Sequence, residues 1–153
     1  MFDAQAWLDT VRDAVMTLRR DEWRRMQLRE SPQSVTSSFR QSAVSHTPNP
    51  DKMGRIDELI DLESGWKHRI ESAQALLAEA NAVLDGMRSV GVLEAEASDV
   101  LRFVYVMGYS KSGAARAMLM SRSTACKRHD YGVGWLSAVG LAHAKAGIGS
   151  AER

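Results

Sequence analysis

Four stretches of the chain carry apolar residues at three- and four-residue spacing, the mark of helices that each bury one stripe. The first, residues 1–30, places Trp7, Val11, Ala14 or Val15, and Leu18 on one face, with Trp23, Met26 and Leu28 keeping some apolar character further on. The second opens at Asp51 or Asp57 and runs to about Val90. Its apolar positions Ile70, Ala73, Leu77, Ala80, Leu84 and Met87 follow heptad steps, small residues alternating with large. Ile56, Leu59, Leu62 and Trp66 prolong that stripe upstream with one irregular step. The third stretch, residues 95–107, repeats Val100, Leu101, Val104 and Met107. A closing helix is expected from Trp135, Leu136, Val139, Leu141 and Ala142, covering the C-terminal core.

Polar and helix-breaking residues divide these stretches. Residues 31–51 are rich in Ser, Thr, Gln and Pro and nearly free of periodic apolar positions. That composition buries too little surface to offset chain entropy, so a linker is expected there. Gly91 ends the long helix, and Gly108 ends the third stretch by supplying a left-handed residue just past its last apolar position. Ser110 then caps a helix over 111–118, and Ser121 caps another over 122–131. Gly132 and Gly134 make the following residues a poor continuation of that helix. Two caps eleven residues apart leave room for a helix, a tight turn and a helix, the spacing of a helix-turn-helix.

The expected fold is therefore all-α. A long N-terminal helical hairpin or coiled coil (1–91, with its linker at 31–51) precedes a helix-turn-helix domain (92–146) and a frayed tail (147–153). A seam as long as that of the second stretch needs a partner: the first helix folded back, a second copy of the chain, or both; an antiparallel hairpin that pairs with its copy as a homodimer is the expectation.

Composition narrows the class. The 153 residues are 44% apolar and 25% charged, with only 3 Pro and 3 Phe, which is globular and helix-favouring. No apolar run is long enough to span a membrane. The first residues carry no basic-then-apolar leader, and the lone Cys126 has no partner for an internal disulfide. Both features lead to a reducing cytoplasm as the expected location. The formal charge of +1 conceals a segregation: from 54 to 99, four Arg or Lys stand against ten Asp or Glu. From 110 to 131, five basic residues face Asp130 alone. An anionic partner for the C-terminal part is the implication.

The stretch ASDVLRFVYVMGYSKSGAARAMLMSRSTACKRHDYGVGWL resembles region 4 of sigma-70-type factors, in which a short helix precedes a helix-turn-helix. Upstream, DKMGRIDELIDLESGWKHRIESA resembles a segment of small phage and prophage proteins similar to ArpU- and RinA-type regulators of late genes. The resemblance spans roughly residues 50 to 137. It implies sequence-specific binding of double-stranded DNA by a transcriptional regulator, with host RNA polymerase as a further partner if the protein acts as a sigma-like activator. Ala114, Ala115, Met118, Met120 and Ala125 match the small and apolar positions between the two helices. Leu119 stands where the turn usually has glycine, and Arg128 where a core-facing aliphatic is common.

On that reading the helix over 122–131 enters the major groove. Arg122, Ser123, Cys126 and Lys127 point outward, with Arg122 best suited to a guanine edge. Ser121, Thr124 and the helix-start amides suit phosphate, and Lys111, Ser112, Arg116 and Arg128 add phosphate contacts on the flanks. Five cations limit the slope of log affinity against log salt to about −4 to −5 per chain. Enzymatic readings fare worse. His46, His68, His129 and His143 share no metal-ligand spacing, and Asp57, Asp61 and Glu63 read as an ion-pair network rather than a catalytic cluster. No glycine-rich phosphate loop or nucleophile motif is present, so neither catalysis nor a cofactor is expected. Two rival readings are a packaging component similar to a small terminase subunit, and a protein-interaction module whose helix-turn-helix no longer binds DNA.

Overall fold

A computed structural model describes residues 1–30 and 50–149. All regular structure among them is helical: α1 (Ala4–Glu30), α2 (Pro50–Arg88), α3 (Val92–Leu101), a π-helical turn (Arg102–Val106), α4 (Lys111–Ala117), α5 (Arg122–Val139) and α6 (Leu141–Lys145). The expected linker lies outside the described residues save for its last two, which already belong to α2. Proline at a helix's first position loses no hydrogen bond that the helix would have used.

The chain divides into two compact units, one of Met1–Met16 with Ala73–Arg153 and the other of Thr17–Ser72. This division departs from a boundary at Gly91, and the core of the larger unit gives the reason. Ala4 and Leu8 of α1 pack in one cluster with Val83, Leu84 and Met87 of α2, Ala97, Val100 and Leu101 of α3, Ala114 of α4, Leu136 of α5 and Ala144 of α6. The last turns of the heptad stripe are thus part of the C-terminal core. The buried apolar positions on α1 are Ala4, Leu8, Val11, Val15 and Leu18, and Trp7 is only half-buried. In the smaller unit Ile60 and Leu62 of α2 stay exposed, as do Trp23 and Met26 of α1. Asp21 is buried although it stands among arginines in the sequence, and the Arg69 guanidinium lies 3.6 Å from its Oδ2.

Charged pairs and one buried hydroxyl join α2 to the elements that follow. Ser98 Oγ donates to the Leu84 carbonyl at 2.7 Å, and Arg88 meets Asp99 at 3.0 Å. Arg102 donates to Asn81 and Asp85. The third apolar stretch starts earlier than the spacing predicts, at Val92, and does not end as a regular α-helix. Its last turn widens to the i→i−5 pattern, with the Met107 amide bonded to the Arg102 carbonyl. A widened turn advances the register. Tyr105 therefore faces the core beside Val104, while Met107, the expected fourth member of the stripe, is exposed. Gly108 follows at φ +77°, in the left-handed role anticipated for it.

The greatest departure from the sequence reading concerns Gly132. The helix expected to end near Tyr131 runs unbroken from Arg122 to Val139 and stops only at Gly140, φ +80°. Gly132 is buried, and a Cβ there would lie 2.8 Å from Leu101 Cδ1 and 3.3 Å from Ala97 Cβ. Its lack of a side chain lets α3 and α5 approach, and that packing outweighs the roughly 1 kcal/mol that glycine costs a helix interior. The start of the expected frayed tail is held as well: the Gly147 amide bonds to the Ala144 carbonyl and the Ile148 amide to that of His143. Residues 150–153 lie outside the described part.

Candidate nucleic-acid interface

The region to which the basic residues belong is built by α4, a four-residue turn and α5. Ser110 caps α4 by accepting from the Gly113 amide at 3.0 Å, and Ser121 caps α5 by accepting from the Thr124 amide at 3.1 Å. Between them the turn is closed by the Met120 amide on the Ala115 carbonyl at 2.9 Å. Leu119 adopts φ +55° and is 95% exposed. A left-handed conformation costs a branched side chain about 1–2 kcal/mol, and this leucine recovers none of it by burial. Leu119→Gly is accordingly expected to raise stability by about 0.5 kcal/mol after glycine's greater unfolded-state entropy is subtracted, read as a small rise in Tm.

The candidate residues separate into four groups. Arg116, Arg122, Ser123 and Lys127 are exposed, and none of the three cations has an ion-pair partner among the described residues. Ser112 and Cys126 are half-buried. Ser121 and Thr124 share their hydroxyls in a 2.8 Å hydrogen bond at the cap. The remaining two cations are already engaged. Arg128 Nε donates to Glu96 Oε2 at 2.6 Å, which explains how arginine occupies a position where an aliphatic is usual: it lies across α3 and is neutralised there. Lys111 Nζ lies 3.9 Å from Asp130 Oδ1.

Beneath this surface runs a polar chain not foreseen from the sequence. The Gln5 amide donates to the Tyr105 hydroxyl at 2.9 Å, and that hydroxyl lies 2.8 Å from His129 Nε2. His129 Nδ1 meets Asp130 Oδ1 at 2.9 Å, and the same oxygen faces Lys111. A neutral imidazole with its proton on Nδ1 satisfies every link, donating to the carboxylate and accepting from the phenol. His129 is buried and stacked at 5.7 Å on Tyr105. The signal that was available lay in the neighbouring Asp130, the sole acidic residue among five basic ones. What brings Tyr105 within reach is the π-turn, which spacing does not reveal.

The hydrogen bond from His129, with Lys111 nearby, holds the Asp130 carboxyl below its ordinary range. Burial pushes the Tyr105 phenol above its ordinary value of 10.0, and a hydrogen bond to Glu94 at 2.6 Å, aided by burial, does the same for Tyr131. A raised phenol pKa favours the folded protein fully below pH 10, and that advantage is lost as the pH climbs through the folded-state value. Thermal melts above pH 10 are therefore expected to show steepening destabilisation, smaller in Tyr105→Phe than in the parent.

Among the described residues no group of three or more His, Cys, Asp or Glu could hold a metal ion, and no helix is long and apolar enough to cross a membrane. No protein-family model, curated protein or solved structure matches the chain.

Proposed function

We propose that this protein is a sequence-specific DNA-binding regulator of phage or prophage transcription. In this reading α4 and α5 act as a helix-turn-helix, and α5 enters the major groove with Arg122 and Lys127 reading base edges. The observation that carries the proposal is the set of exposed, unpaired cations Arg116, Arg122 and Lys127 at the turn and the first turns of α5. An α-helix N-terminus with free amides adds attraction for phosphate. The basic face is small, so a single copy binds weakly. A homodimer pairing two half-sites is the active form, with α1 and α2 as its hairpin and dimerisation region. Host RNA polymerase is a second partner if the regulator activates.

A gel shift with the intergenic DNA beside the gene tests this. Arg122→Ala and Lys127→Ala are each expected to weaken binding by about 1–3 kcal/mol, about 5- to 150-fold, with no change in Tm. Negligible, salt-insensitive binding by the parent and both variants would instead support a protein-interaction module. The exposed Leu119 in its strained turn is the feature that favours that second reading.

A further inference from the structure

We infer that Asp130 is a specificity-setting residue, a built-in carboxylate that occupies Lys111 and penalises non-specific DNA; this rests on the DNA-binding reading above. Asp130 follows Lys127 by three residues, as Lys127 follows Ser123 by four, so all three lie along one side of α5. The opposite side is the buried one, formed by Ala125, His129, Gly132 and Leu136. Asp130 is thus presented outward, 75% exposed, on the side that carries Lys127.

Its position is not left to chance. His129, buried and held from beneath by Tyr105, grips Oδ1 at 2.9 Å, and Lys111 at the start of α4 stands 3.9 Å from the same oxygen. A polyanion approaching this surface meets a fixed negative charge, and Lys111 reaches a phosphate only by leaving Asp130. Phosphate contact is the sequence-independent part of DNA affinity, so a carboxylate that opposes it lowers binding to every sequence alike. Base-edge contacts by Arg122 and Lys127 offset the penalty at a matching site alone. A cytosine amino group opposite Asp130 would turn the penalty into an acceptor contact. The uniform penalty cancels when two sites are compared, so discrimination comes from the sites at which that acceptor contact relieves it.

The test compares the parent, Asp130→Asn, Lys111→Gln and the double variant on a mixed-sequence DNA duplex over a series of salt concentrations. Asparagine keeps an acceptor for His129 Nδ1 and removes only the charge, so Tm should hold. Asp130→Asn is expected to tighten binding about fivefold near 0.1 M salt and to steepen the salt slope by about 0.9, one added phosphate contact. In the Lys111→Gln background the same substitution should change affinity less than about twofold. Salt-dependent binding by the parent with affinity and slope unaltered in Asp130→Asn would overturn this inference and leave DNA binding standing. An undiminished gain in the Lys111→Gln background would overturn the role of the pair. Absence of salt-dependent binding by the parent would remove the DNA reading itself, and the inference with it.

Discussion

Gly86→Ala is expected to destabilise the protein by about 3 kcal/mol, a fall in Tm of roughly 6–12 °C for a chain of this size. A Cβ at this position would stand 2.1 Å from the Ala144 carbonyl oxygen and 2.6 Å from that of Lys145. Both obstacles are backbone, at the end of α6, so no rotamer change relieves them. The helix must lift from α2, and the fully buried Ala144 must leave the core with it. Gly65 provides the control within the same helix. Nothing lies within 4 Å of a Cβ built there, and alanine should stabilise by about 0.5–1 kcal/mol through its better helix propensity. Calorimetry on the two variants decides the matter. Equal effects would mean that the approach of α6 to α2 is not part of the folded state.

The second large effect is a coupling. Leu101 is fully buried, and its truncation to alanine should cost about 3–4 kcal/mol from lost burial and the cavity left behind. Gly132→Ala alone should cost about 1–2 kcal/mol, because its methyl would collide with Leu101 Cδ1 at 2.8 Å and with Ala97 at 3.3 Å. In the Leu101→Ala background the collision partner is gone and part of the cavity is filled. Gly132→Ala should there become neutral or stabilising, by up to about 1 kcal/mol as helix propensity takes over. The expected interaction energy of about 2 kcal/mol is read from urea midpoints of the four proteins in a double-mutant cycle. Additive effects within about 0.5 kcal/mol would show that α3 and α5 do not meet at this point.

These two glycines show where reading the chain alone succeeds and where it stops. Ser110, Ser121 and Gly108 were legible because a cap or a left-handed stop acts within three or four residues of itself. Their hydrogen bonds and torsions follow from local sequence. The apolar steps on α1 and along 73–87 were legible for the same reason: a helical period is a local property, and burying the stripe is its consequence. The candidate cations at 116, 122 and 127 follow from the same local frame, since a capped helix start sets which residues of its first turns face outward.

Gly132 has the composition of a helix breaker and the function of a contact, because the atoms that require a hydrogen there belong to Leu101 and Ala97, on an earlier helix. Tyr105 turned inward through a widened turn that leaves no periodic trace. Arg128 and Lys111 found carboxylates on other turns and other helices, and so left the set of free charges. Local pattern alone establishes that these helices form and where their serine caps and the left-handed Gly108 stand. Which glycine is a joint, which histidine is buried and which cation stays available all depend on groups brought together from distant parts of the chain, and only the folded core supplies those neighbours.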